Sequence, residues 1–178
     1  MSVFLRSRDA LSNVREMGVQ GGVSCLLAAA AIAFCGAAAP ASAAELTRGQ
    51  YVDRAEAICK VGTAKSSPLL SKGLAEFKAN KVESAGPKFV STAAAYDAAR
   101  SKVAAIPKPA DDAEELAEWL DLLKVQNFFL RKTGKALSAG QRVQAQGFLS
   151  RFVHNGNLAN DTVLGYGFKY CLFNKDFK

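Results

Sequence analysis

The feature that most constrains the fold is the spacing of apolar residues, which is helical over almost the whole chain beyond its N-terminal segment. The first stretch shows this at Tyr51, Ala55, Ile58, Cys59 and Gly62. These residues recur every three or four positions, as the buried face of a helix requires. No alternation of apolar and polar residues is long enough to form a sheet. The sequence therefore predicts an all-α fold.

Turn signals divide this helical stretch into five or six predicted helices. Thr47 and Gln50 form a capping box that starts the first helix. Ser67-Pro68 and Gly86-Pro87 are interpreted as the starts of the second and third helices, because proline suits the first helical position. The proline-rich residues 106–110 and the turn residues Asn155-Gly156-Asn157 separate the later helices. Connections this short predict an antiparallel bundle.

The longest predicted helix runs from about Asp112 to Ser138. Asp111 and Glu114 repeat the capping-box pattern in acidic form, and acidic residues suit the positive end of a helix. Ala139-Gly140 is expected to end this helix, and a further segment follows from Gln141 to His154 with Val143 on its apolar face. The inner face of the long helix is predicted to consist of Leu116, Trp119, Leu120, Leu123, Leu130 and Leu137.

The N-terminal segment has the pattern of a secretory signal peptide. Residues 1–22 contain three arginines, and residues 23–44 contain no charged side chain and end in small residues. We predict cleavage after Ala43 or after Ala44, which makes 1–43 a signal peptide and 44–178 one exported domain. Two alternatives stay open. Residues 23–44 are long enough to be an uncleaved membrane anchor, and a lipid could be attached at a cysteine, although the residues before Cys25 and Cys35 do not fit that motif.

Two cysteines, Cys59 and Cys171, belong to the predicted domain and lie near its two ends. Because an exported protein meets an oxidising environment, we expect this pair to form a disulfide between the first helix and the last. The alternative is a pair of free thiols of which one is a nucleophile. No C-x-x-C motif or neighbouring base supports that alternative.

The net positive charge of the predicted domain has two interpretations, ordinary solvated helix faces or attraction to anionic partners. Residues 44–178 carry 20 Lys and Arg against 14 Asp and Glu, a net charge of +6. Such a surface attracts anionic envelope polymers or lipid head groups. The lysines are scattered, and no aromatic-basic motif accompanies them, which disfavours nucleic acid. Motifs for serine hydrolysis, zinc proteolysis, nucleotide binding and haem attachment are missing from the sequence. We therefore expect no cofactor, no metal and no enzymatic activity.

Few polar residues are candidates for a catalytic or metal-binding site. His154 is the only histidine, and a general base needs a nucleophile or carboxylate held beside it, which the sequence does not show. The acidic cluster after the proline-rich linker lacks the spacing and the glycine of a calcium loop, so we interpret it as helix capping and a solvated face. This cluster comprises Asp111, Asp112, Glu114, Glu115, Glu118 and Asp121.

Aromatic residues crowd the C-terminus and have two interpretations. They could form an exposed binding patch, since Tyr and Phe are common in such patches. They could equally pack around the disulfide. The residues concerned are Tyr166, Phe168, Tyr170 and Phe173.

Three segments of the domain carry a resemblance. Residues 51–59 read Tyr-Val-Asp-Arg-Ala-Glu-Ala-Ile-Cys, residues 167–171 read Gly-Phe-Lys-Tyr-Cys, and residues 106–111 read Ile-Pro-Lys-Pro-Ala-Asp. The chain resembles a group of uncharacterised small secreted proteins and lipoproteins of high-GC, actinobacteria-type bacteria. Their domains begin with an aromatic-x-x-x-Ala-[Asp/Glu]-Ala-Ile-Cys helix and often end in Gly-aromatic-x-x-Cys. The resemblance implies an exported, disulfide-tied helical domain and supplies no catalytic residues.

From these observations we expect an exported, non-enzymatic helical module of the cell envelope or the extracellular space. It would act in protein interaction or in small-ligand binding. Two alternatives remain open. One is a membrane-anchored accessory protein held by residues 23–44, and the other is a hydrolase of unrecognised type that uses His154.

Overall fold

The computed structural model describes residues 45–172, and four α-helices account for most of them. Short 3₁₀ turns at Ala110–Asp112 and Leu164–Tyr166 precede the third helix and follow the fourth. No strand occurs between residues 45 and 172, so the all-α prediction is confirmed there, with four helices instead of five or six. The helices are α1 (Arg48–Lys78), α2 (Val82–Ala104), α3 (Ala113–Ser138) and α4 (Arg142–Thr162). The predicted signal peptide, both cleavage positions (Ala43 and Ala44) and Phe173 lie outside the described residues.

Each helix packs on the next one along the chain, α1 on α2, α2 on α3 and α3 on α4. The α1–α2 pair is antiparallel, because Gly62 faces Ala99 while Gly73 faces Phe89. The backbones of α2 and α3 come close at two glycines. A Cβ atom on Gly134 would lie 2.7 Å from the carbonyl oxygen of Gly86. Within the described part of the chain, no helix is both long enough and apolar enough to cross a membrane.

The first helix continues through Pro68, so the predicted break there is wrong. An interior proline costs a helix roughly 3 kcal/mol, because it removes a hydrogen bond and clashes with the preceding turn. The buried face of α1 nevertheless runs on without interruption, in a repeat of eleven residues that keeps one face inward over three turns. Its burial offsets the cost of the proline. The buried residues are Tyr51, Ala55, Cys59, Gly62, Ser66, Leu70, Gly73 and Phe77.

The second helix likewise contains Pro87, and the break predicted at Gly86-Pro87 is wrong. The chain turns earlier, where Asn80 adopts a positive φ of 63°. Asparagine tolerates this left-handed conformation better than most residues. Pro87 is the sixth residue of α2, so its missing N–H costs the helix a hydrogen bond to the Glu83 carbonyl oxygen, and α2 continues because its buried face runs on through this position.

The third helix is close to its prediction, and its predicted inner face is buried throughout. Gly140, with a φ of 69°, follows its C-terminus as expected. The acidic capping box predicted for Asp111 and Glu114 is wrong. The residue at the N-cap of α3 is Asp112, whose side chain makes no capping bond and pairs with Arg48 instead. The other predicted box is confirmed, since the Thr47 hydroxyl accepts from the Gln50 N–H and the Gln50 side chain accepts from the Thr47 N–H.

The fourth helix passes through Asn155-Gly156-Asn157, so the predicted turn is wrong. Gly156 is buried in the middle of α4, where a small residue fits against the core. The helix ends at Thr162, and a C-terminal segment, residues 163–172, follows it. Val143 was expected on the inner face, but its side chain is 83% exposed.

Candidate functional site

The C-terminal segment returns to α1, where its cysteine meets the predicted partner. The Sγ atoms of Cys59 and Cys171 lie 2.13 Å apart, at disulfide distance, and both residues are buried. The pair joins the middle of α1 to the segment after α4, across 112 positions of sequence.

Glu56 holds the same segment by its backbone. Its Oε1 atom accepts hydrogen bonds from the N–H groups of Lys169, Tyr170 and Cys171, at 3.0, 2.9 and 3.1 Å. The Thr63 hydroxyl donates to the carbonyl oxygen of Tyr170 at 3.1 Å. Successive N–H groups that converge on one carboxylate form a strong, charge-assisted contact. This contact gives Glu56 a structural role, since it holds the C-terminal segment against α1.

A second polar cluster joins the start of α1 to the start of α3. The Arg48 guanidinium donates both Nε and Nη2 to the carboxylate of Asp112, which is 3% exposed, and the Nε bond is 2.9 Å long. This contact holds the pKa of Asp112 below its ordinary value. The guanidinium lies over the ring of Tyr166, 4.7 Å from the centroid. The Tyr166 hydroxyl donates to Glu115 at 2.8 Å, and burial together with that bond raises the pKa of Tyr166.

The predicted aromatic patch is largely interior. Tyr166 and Phe168 are buried, and Phe168 stacks on Trp119 with ring centroids 5.1 Å apart. Tyr170 is 37% exposed, and the ammonium of Lys60 lies over its ring. The arrangement matches the alternative in which the aromatic residues pack near the cysteine pair, and it does not present Tyr166 or Phe168 to a partner.

The polar candidates do not assemble a reactive centre within residues 45–172. His154 is exposed on α4, and no carboxylate there hydrogen-bonds to it. In the acidic cluster, Asp112 and Glu115 are engaged with Arg48 and Tyr166. No group of three or more His, Cys, Asp or Glu side chains in the described range is arranged to hold a metal ion. The hydrolase hypothesis therefore gains no support from the described residues.

A groove between α1 and α2 is the apolar concavity that sequence reasoning missed. It has a volume of about 290 Å³, at the small end of the range for ligand pockets. Small side chains leave this space, and Ile58 and the exposed Val61 form one wall. The signal for it in the sequence is the density of alanines in α2, at positions 93–95, 98 and 99. The small residues that line it are Ala57, Gly62, Ala95, Ala98 and Ala99.

Two lysines border the groove, and no acidic residue lines it. Lys65 follows Gly62 by one helical turn and Lys102 follows Ala99 by one turn, on helices that run in opposite directions. Because Gly62 faces Ala99, the two lysines stand at opposite ends of the groove, separated by about 9 Å along the helix axes. The groove therefore combines an apolar floor with a positive charge at each end.

Comparisons with protein-family models, with curated proteins and with solved structures found no match to this chain.

Proposed function

We propose that the protein is an exported, non-enzymatic helical module that binds a small anionic amphiphile in the α1–α2 groove. The observation that carries the proposal is the groove itself, an apolar floor of alanines with Lys65 and Lys102 at its ends. An unbranched hydrocarbon chain would displace water from the floor, and burial of its methylenes is favourable. A carboxylate at the end of that chain would meet a lysine ammonium.

Export is supported by the sequence pattern of residues 1–44 and by the cysteine pair. An oxidising compartment would keep the pair at disulfide distance as a covalent bond. We propose that cleavage follows Ala43 or Ala44 and that the bonded domain works in the envelope or outside the cell.

The ligand test compares compounds that share a chain and differ in their head group. We expect dodecanoate and dodecanedioate to bind the oxidised domain, measured by calorimetry and by shifts of the amide NMR signals of α1 and α2. Dodecanol and dodecyltrimethylammonium should bind at least tenfold more weakly, because neither pairs with a lysine. Equal binding of all four compounds would indicate an unspecific apolar surface and would contradict the proposal.

Three variants locate the site. Ala98→Phe should fill the groove and abolish dodecanoate binding, whereas Ala94→Phe, on an exposed position of α2 outside the groove, should leave binding unchanged. Changing Lys65 and Lys102 together to Gln should weaken dodecanoate and leave dodecanol unaffected. Loss of binding in the Ala94→Phe protein alone would place the ligand elsewhere.

A membrane-anchored accessory protein is the second candidate, favoured by the uncharged stretch of residues 23–44. Fractionation of the producing cells separates the candidates. The uncut chain would be recovered with membranes, and the exported domain would be recovered without residues 1–43.

A further inference from the structure

The charges of the described residues are divided unequally between the two ends of the helices. We define the turn end as residues 64–92 and 126–151, which contain the α1–α2 and α3–α4 turns, and the disulfide end as the remaining described residues. The turn end carries ten Lys and Arg against two Asp and Glu, a net charge of +8. The disulfide end carries eight against eleven, a net charge of −3. The excess positive charge of the protein is therefore concentrated at the turn end.

Most of the lysines at the turn end have no acidic partner. Lys88 pairs with Glu76 at 2.6 Å, and Arg131 pairs with Asp97. Six further lysines are exposed, and no carboxylate among residues 45–172 lies within 4 Å of their ammonium groups. They are Lys65, Lys72, Lys78, Lys81, Lys132 and Lys135. Unpaired positive charges concentrated at one end of a protein raise the local electrostatic potential, so an external anion is attracted to that end.

These lysines lie on α1, in the α1–α2 turn and on α3, so they stand on both sides of α2. A flexible chain of anions can follow cations that are distributed around a helical bundle, whereas a flat membrane touches one side of it. Membrane-surface segments also expose a cluster of large apolar residues beside their cations. Two large apolar side chains of the turn end are exposed, Phe128 and Val143. They do not lie side by side in the fold, because Phe128 lies ten residues before the end of α3 and Val143 lies in the first turn of α4. The distribution favours a polymer over a lipid surface.

We propose that the turn end binds an extended polymer with anionic phosphate groups along its backbone. The acidic disulfide end repels the same polymer, so the protein would approach it turn end first. This surface is defined by charge and not by the groove. The ligand test above and the polymer test below can therefore fail independently.

Long-chain polyphosphate is the probe, with neutral dextran as the reference polymer and the oxidised, exported chain as the protein. We expect polyphosphate binding to weaken steeply as salt rises, because each lysine contact releases condensed counterions. Changing Lys78, Lys81 and Lys135 together to Gln should weaken binding about tenfold at low salt and reduce the slope of log affinity against log salt by about 2.

The matched control removes three positive charges from the disulfide end. Arg54, Lys108 and Lys124 are changed together to Gln, which alters the net charge equally and should change affinity less than twofold. Equal losses in the two triple variants would show that net charge alone attracts the polymer, and would overturn the proposal. Tighter binding to phosphatidylglycerol vesicles than to polyphosphate would overturn it in favour of a membrane surface. Self-association of the protein without polymer, seen as a molecular mass that falls as salt rises, would also overturn the proposal. It would show that the turn end binds the acidic end of a second copy.

Discussion

The two ends of the helices differ in what their charged residues do. At the disulfide end, the carboxylates of Glu56, Asp112 and Glu115 each accept a hydrogen bond from a residue at least 50 positions away. At the turn end, most lysines make no such contact, and one long-range polar link is made by Arg142, which donates to the carbonyl of Phe77 and to the side chain of Asn80. Charged side chains at the disulfide end therefore hold distant parts of the chain together, whereas most lysines at the turn end make no ion pair with a described carboxylate.

The two ends differ because short turns connect the helices at one end, whereas a longer C-terminal segment must be held in place at the other. The turns at Asn80 and Gly140 are short and local, so the helices they join need little further support. The segment after α4 has one short 3₁₀ turn, Leu164–Tyr166, within the described residues, and individual contacts must fix the rest of it. Cys171, Phe168 and the N–H groups that bind Glu56 supply them.

Removing the cysteine pair should have the largest effect, because it releases the C-terminal segment. Changing Cys59 and Cys171 together to Ser reopens a loop of 112 residues, and we expect a loss of about 3–5 kcal/mol in the free energy of unfolding. Urea unfolding measures it, with the wild-type protein in reductant as the control. Unfolding midpoints that agree in the oxidised, reduced and double-Ser proteins would contradict the account.

The close approach of the α2 and α3 backbones at the turn end gives the next largest effect on stability. Gly134→Ala places a Cβ atom 2.7 Å from the Gly86 carbonyl oxygen and equally close to Val90. We expect a loss of about 2–3 kcal/mol in the free energy of unfolding, because α2 and α3 must move apart. Gly147→Ala is the control, since open space surrounds that position on α4, and it should stabilise by up to about 1 kcal/mol. A neutral Gly134→Ala variant would show that the helices can separate freely.

Loss of the Glu56 carboxylate should have a smaller effect at the disulfide end. Glu56→Gln keeps one acceptor oxygen but removes the charge that three backbone N–H groups share. We expect a loss of about 1–2 kcal/mol in stability and faster hydrogen exchange at residues 169–171. Asp53→Asn, at an exposed position of α1, should change neither quantity. Unchanged hydrogen exchange at residues 169–171 would show that Glu56 does not hold the C-terminal segment.

The smallest effect concerns acid stability. Because Arg48 holds the pKa of Asp112 below its ordinary value of 3.8, the folded state binds fewer protons at Asp112 than the unfolded state does. This contribution is fully present above that ordinary value and is lost as pH falls through the lower, folded value. Asp112→Asn should therefore reduce stability slightly at neutral pH and flatten its decline below pH 4. A parallel decline in both proteins would contradict the pairing.

The sequence predicts those parts of the fold that depend on residues within one short stretch of the chain. The limits and inner face of α3 followed from its leucine repeat and from Gly140. Pro68 and Pro87 each predict the end of a helix, because proline is unfavourable inside one. Neither ends its helix, since burial of the apolar face offsets that local cost. In α1 the buried eleven-residue repeat continues through Pro68. Gly156 misled for a related reason, since a glycine buried in a helix looks the same in sequence as a glycine in a turn.

The site was less predictable than the fold. The Cys59–Cys171 pairing could be predicted because the exported domain contains two cysteines and is expected to reach an oxidising compartment. The burial of Phe168 against Trp119 could not be inferred, because the two residues are distant in sequence and an aromatic residue suits either a surface patch or a core. The groove depends on which alanines of α2 face α1, and the basic turn end depends on which helices run antiparallel. Both are properties of the assembled helices.

The central claim is that the chain is exported, trimmed and tied by Cys59 and Cys171. Intact native mass spectrometry of the protein purified from its own producing cells, with and without reductant, tests this claim most directly. The account predicts a chain that begins at Ala44, or one residue later, and gains the mass of a pair of hydrogen atoms on reduction. An uncut chain that begins at Met1, is recovered with membranes and does not change mass on reduction would contradict it.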